Sequence, residues 1–172
     1  FADAARWAGV SPAAPYRHFR DRDALLADVA QRGFHRMGES LAAAWREGRP
    51  SPVEALHEVG KAYLAFARTE PAYYAAMFES GVDIGADAAL RSAAEAAFTA
   101  VRTAVEAVVA TLPAASRPPV MMMTLHIWSQ AHGIASLFGR ADGARRPIPM
   151  SPEELLEAAV LIYLRGLGAS GR

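Results

Sequence analysis

Between residues 16 and 22 the chain runs Tyr16-Arg17-His18-Phe19-Arg20-Asp21-Arg22, three arginines and a histidine against one aspartate. Guanidinium, imidazole and phenol groups at this density suit the holding of phosphate oxygens along a duplex. The residues just before them have the complementary property. Ala13 and Ala14 are small enough to let a backbone approach a base-pair edge or a thymine methyl. Ser11, Pro12, Ala13, Ala14, Tyr16, Arg17, His18, Arg20 and Arg22 therefore form the candidate DNA-contacting set, with double-stranded DNA as partner. Phe19 reads as the apolar anchor facing inward.

Such a set needs a short exposed helix to present it. The run from Phe1 to Ala8 is made of good helix formers, with Phe1, Ala4, Ala5 and Ala8 on one face. Gly9 stands where a helix C-cap calls for a left-handed residue, and Val10 can fill the crook between two helices. Ser11 is a good N-cap, and Pro12 fits the first helical position because its missing N–H would have been unpaired anyway. Pro15 still lies in the first turn. Helix, glycine turn and Ser-Pro restart make a helix-turn-helix pattern. Asp21 is placed to cap the next helix, whose first amides form a phosphate site. The same spacing also suits a plain corner of two helices with a solvated basic edge.

Gly9-Val10-Ser11, four residues, Tyr16-Arg17-His18-Phe19, a basic residue at Arg22 and the pair Leu25-Leu26 together resemble the TetR-family signature. The resemblance covers about the first thirty residues. It implies a DNA-binding head, preceded in the family by another helix packed across the motif. This sequence opens inside the motif, so a chain lacking that helix is expected to bind DNA poorly.

The remainder must hold the head. At 172 residues, slightly more than half apolar and rich in alanine, the chain can build a proper core, and its patterning is helical throughout. There is no cysteine, which excludes disulfides and thiolate-ligated metals. Formal charge is zero, and Lys61 is the only lysine. No signal peptide opens the sequence, which points to the cytoplasm.

Apolar positions Leu26, Val29, Gly33, Met37, Leu41 and Trp45 predict one long helix from Arg22 to about Trp45, running out of the head into the next domain. Ser51-Pro52-Val53-Glu54 is a capping box opening a helix through Ala67, and Thr69-Glu70-Pro71 restarts a short one. After a loop from Gly81 to Asp87, a long helix runs from about Ala88 to Leu112. Arg91/Glu95 and Arg102/Glu106 are spaced for ion pairs on its polar side.

Between Arg117 and Arg140 no residue is formally charged. His126, Gln130 and His132 argue against a membrane span, so this stretch predicts a helix buried on both sides. After a polar loop from Ala141 to Met150, Ser151-Pro152-Glu153-Glu154 launches a last helix, apolar nearly all round. Such a helix needs cover on every side, and a second copy of the chain would supply it. A homodimer built on the two late helices is the expectation. It would also pair two DNA-reading helices about one helical turn apart.

A second resemblance lies between about Ala62 and Leu137. Tyr63-Leu64-Ala65-Phe66-Ala67, Glu70-Pro71-Ala72-Tyr73-Tyr74, Met77-Phe78 and Trp128 with His132-Gly133 are similar to the TetR subgroup named for its Trp, His and Gly. It implies a helical domain that dimerises and holds a small-molecule effector. Phe66, Tyr73, Met77, Phe78, Phe98, Met122, His126 and Trp128 are the candidate ligand-binding residues, a mix that suits an apolar pocket with sparse polar anchors. Each also suits a plain core. For His132 the ordinary reading is a buried, hydrogen-bonded structural histidine, and Gly133 would admit another helix.

Enzymatic readings find little. The five histidines show no His-x-x-x-His spacing, and there is no Gly-x-Ser-x-Gly and no phosphate-binding glycine loop. No metal and no cofactor is expected. The sequence thus predicts an all-α protein: a partial helix-turn-helix domain over residues 1–45, and an effector-binding and dimerisation bundle over 46–172. Its function would be ligand-responsive transcriptional regulation, as a repressor released from operator DNA. The alternative is a helical small-molecule binding module without DNA-binding function.

Overall fold

The computed structural model describes residues 19–138 and 149–168. Among them are six α-helices: α1 (Arg22–Trp45), α2 (Pro52–Thr69), α3 (Pro71–Phe78), α4 (Ala88–Thr111), α5 (Val120–Phe138) and α6 (Pro152–Gly166).

Four of the six starts follow from a side-chain cap. The Asp21 carboxylate accepts from the Ala24 amide at 2.8 Å and opens α1. That hydrogen bond, with a second from Arg20, holds its carboxyl below the usual range. Ser51 accepts from the Glu54 amide at 3.3 Å and Asp87 from the Leu90 amide at 2.8 Å, opening α2 and α4. Ser151 and Glu154 make a full reciprocal capping box on α6. At Ser51 the glutamate instead accepts from the serine hydroxyl, at 2.6 Å. Proline at the start of α2, α3 and α6 costs nothing, since those amides have no helical acceptor. Beyond Trp45 the chain reverses through Arg46, Glu47 and Gly48, all with positive φ.

The helices form one bundle around one core. α1 lies along α4 and against α2 and α3; α5 packs on α2, α4 and α6. Ala30, Phe34, Met37 and Leu41 of α1 are buried in the same cluster as Leu64 of α2, Val105 and Val108 of α4, Met123 of α5 and Leu156 of α6. The helix expected to leave the head is thus a wall of the bundle from Ala30 onward. Two glycines set its closeness. A Cβ on Gly38 would sit 3.4 Å from the Ala97 Cα, and one on Gly33 only 2.6 Å from the Met77 Sδ.

α5 departs from expectation. One side is buried through Met123, Thr124, Ile127, Ala131, Ile134 and Ala135. The other carries exposed Met121, Met122, Leu125 and Leu137, and Ile162 on α6 is 70% exposed. Among the described residues α5 has neighbours on one side only, so its uncharged composition is not matched by burial all round. Gly133 has nothing within 4 Å of where its Cβ would be. Met121, Leu125, Ser129, Gly133 and Leu137 recur every fourth residue and form a single open stripe. Among the described residues no helix is long and apolar enough to cross a membrane.

Candidate ligand site

A cavity of about 270 Å³ lies between α1 and α4 and is closed by residues from three other helices and a loop. Phe34, Met37 and Leu41 recur at i, i+3 and i+7 on α1 and form one wall. Ala94, Glu95, Ala97, Phe98 and Val101 of α4 form the opposite one. Tyr63 comes from α2, Phe78 from the end of α3, Ile84 from the loop and Trp128 from α5. Aromatic rings meet edge to face here: Phe34 with Phe78 at 5.6 Å between centroids, and Phe98 with Trp128 at 5.8 Å. Among the described residues no arginine, lysine or histidine lines the space.

Behind the Phe78 and Trp128 side lies a buried polar cluster. The Tyr74 hydroxyl is 2.8 Å from His132 Nδ1 and the Tyr63 hydroxyl 3.0 Å from the same nitrogen. Burial holds the imidazole below its usual pKa, against an opposing pull from Glu79. The neutral ring then accepts at Nδ1. Burial also pushes the Tyr63 hydroxyl well above the usual tyrosine range and raises Tyr74. Both phenols therefore stay protonated, and the two hydroxyls are also hydrogen-bonded to each other. Trp128 acts on the Tyr63 oxygen and Ser136 on the Tyr74 oxygen as further hydrogen-bond partners. Phe78 packs edge-on against the His132 ring at 4.9 Å. The cluster ties α2, α3 and α5 together and fixes the Tyr63 and Trp128 side chains that face the cavity.

Three of the eight residues expected at a ligand, Phe78, Phe98 and Trp128, line this space. The other five lie elsewhere, for reasons of helix geometry. Met122 and His126 are exposed, and the His126 ring meets the Tyr163 hydroxyl at 3.1 Å. Two residues apart on a helix is about 200° of rotation, so His126 and Trp128 point to opposite sides of α5. Tyr73 and Met77 face α1, where Met77 packs over Gly33 and Tyr73 lies under the Arg36 guanidinium at 5.2 Å. Tyr74 and Phe78, one position on, take the inward face. Phe66 is buried in the core away from the cavity. Sequence reasoning missed the other nine lining residues, Phe34, Met37, Leu41, Tyr63 and Glu95 among them. The α1 spacing was visible, but nothing in it says which helix stands opposite.

Glu95 is exposed and also lines the cavity, so it stands at the rim. Its expected partner Arg91 turns instead to the Gly85 carbonyl, at 3.5 Å. Among the described residues Glu95 makes no ion pair within 4.0 Å. Among them also no group of three or more histidines and carboxylates could hold a metal ion.

Of the candidate DNA-contacting residues, Ser11, Pro12, Ala13, Ala14, Tyr16, Arg17 and His18 lie outside the described residues. Arg20 and Arg22 are exposed at the start of α1, beside Asp21 at 2.9 Å and Asp23 at 4.0 Å. Ion pairs this exposed hold little energy, so both guanidiniums remain available to a phosphate.

Comparison with known proteins fits this architecture. The profile of the tetracyclin repressor-like C-terminal domain matches residues 56–163, well over half of the chain. The chain belongs to the TetR family of transcriptional regulators. In this TetR-family chain the matched region holds every cavity-lining residue except Phe34, Met37 and Leu41 of α1, together with Tyr74 and His132. A protein of unknown function from Rhodococcus sp. RHA1 is similar in structure, with 30% identity and a TM-score of 0.72, over 94% of this chain and 81% of that one. The TetR family transcriptional regulator PfmR from Thermus thermophilus shares the fold at 19% identity and a TM-score of 0.70, over 95% and 86%. No curated relative matches the sequence.

Proposed function

We propose that this TetR-family regulator is a cytoplasmic homodimeric repressor that leaves operator DNA when a small apolar or amphipathic effector fills the cavity between α1 and α4. One observation carries the reading. Phe34, Met37 and Leu41, which wall the cavity, stand on the helix that continues directly from the basic segment ending at Arg22. A ligand that favours one position of α1 over another therefore biases where that segment sits. The size of the response is set by the difference in affinity for the two positions. The segment from Ser11 to His18 would read bases, with Arg20 and Arg22 on phosphates. The stripe Met121, Leu125, Gly133 and Leu137 on α5, with Ile162 on α6, supports association of two copies, since contiguous exposed apolar surface marks an interface.

The test is a gel shift of the full-length protein on the DNA upstream of its own gene, across a salt series. Binding should weaken steeply as salt rises, and His18→Ala and Arg22→Ala should each weaken it. Duplex binding that ignores salt, or variants as tight as the parent, would overturn the reading in favour of a binding module without DNA function.

A further inference from the structure

The effector reading leaves the chemical class of ligand open, and the cavity's charge distribution narrows it. We propose that the site selects a lipophilic organic cation: an aromatic or branched apolar body seated between α1 and α4, with its charged head at Glu95.

The inference rests on the cavity reading above and adds three observations. First, the lining offers an anion nothing, since it holds no basic side chain and one carboxylate. Placing a ligand carboxylate there would desolvate it beside a like charge. Second, Glu95 stands at the rim without an ion-pair partner among the described residues. The nearest basic residue on its own helix, Arg91, is turned to the Gly85 carbonyl across the loop, at 3.5 Å. Third, Phe78, Phe98 and Trp128 line the interior with aromatic rings. A cation near the face of such a ring is attracted by the ring quadrupole, most strongly where water is excluded. At about 270 Å³ the space admits a body of roughly two fused rings with a compact head, near the lower end of small-molecule pockets.

A charge-matched ligand set tests this on the full chain by titration calorimetry. The probes are (naphthylmethyl)trimethylammonium, its uncharged isostere neopentylnaphthalene, and naphthylacetate. The cation should bind roughly tenfold tighter than the isostere, on the strength of the ring and carboxylate attractions together, and naphthylacetate should not bind. Glu95→Gln should cut the cation's preference several-fold, leaving only the ring contribution, and raised salt should shrink the preference. Ala94→Trp, which fills the cavity from α4, should abolish binding of both. If the isostere binds as tightly as the cation and Ala94→Trp removes both, the cavity reading stands and the cation proposal falls. A cation preference left undiminished by Glu95→Gln also overturns it. If neither probe binds, or Ala94→Trp leaves both unaffected, the cavity reading falls with it.

Discussion

The Tyr74 hydroxyl meets His132 Nδ1 at 2.8 Å while their rings lie nearly parallel, 24° apart, and the Tyr63 hydroxyl reaches the same nitrogen at 3.0 Å. Two hydroxyls, hydrogen-bonded also to each other, thus share one lone pair, and either can supply its donor. Tyr74→Phe or Tyr63→Phe alone should cost about 1 kcal/mol, the ordinary net worth of a hydrogen bond. The double variant leaves Nδ1 buried without a donor and should lose about 1 kcal/mol more than the two single losses added. Urea unfolding of the four proteins checks this, and strict additivity would contradict the shared-acceptor geometry.

The same histidine gives the fold a pH dependence of known sign. Burial lowers its pKa below the ordinary 6.5, so the unfolded chain binds the proton first as pH falls. The contribution is complete above the unfolded value and is lost as pH falls below it toward the folded value. His132→Asn keeps an acceptor near Nδ1 but does not titrate. Between about pH 7.5 and about pH 5.5 the melting temperature of the parent should fall more steeply than that of the variant. Parallel curves would show that His132 does not titrate differently on folding.

Association should depend on residues that the single chain leaves open. Ile162→Glu and Gly133→Ile alter an exposed side chain and a position with no neighbour within 4 Å, so neither should disturb the fold of one chain. Both should convert a dimer to monomer, because a charge or a branched side chain would be forced into a close apolar contact. Sedimentation velocity reads the change directly, and an unchanged sedimentation coefficient for both would place the interface elsewhere.

Gly33 should be intolerant despite lying inside a helix. Alanine there gains about 1 kcal/mol of helix propensity. Its Cβ, however, would meet Met77 Sδ at 2.6 Å and Tyr73 Cβ at 3.2 Å. Overpacking of that kind costs about 1–3 kcal/mol, so Gly33→Ala should come out destabilising. Thermal unfolding of the parent and variant decides it; a raised melting temperature would mean that α1 and α3 separate easily.

Local signals set the helices, and these were legible in the chain itself. Asp21, Ser51, Asp87 and Ser151 cap where their types and positions say they should, because a cap needs only an acceptor and amides two or three residues on. The absence of strand alternation likewise predicted the all-α fold. The spacing of Met37 and Leu41 marked the inner face of α1, since helical period is a property of sequence. What stands across from that face is a tertiary matter. It depends on glycines 33 and 38 letting α3 and α4 close in, and on which of two adjacent residues, Tyr73 or Tyr74, Met77 or Phe78, is turned inward. Only the packed bundle released Glu95 from its expected partner, by offering Arg91 a loop carbonyl, and brought Tyr63 and Tyr74 to His132 from 69 and 58 residues away. Chain spacing carries information over a few turns of helix, whereas the cavity is set by six segments meeting, and their meeting is decided by burial summed over the whole core.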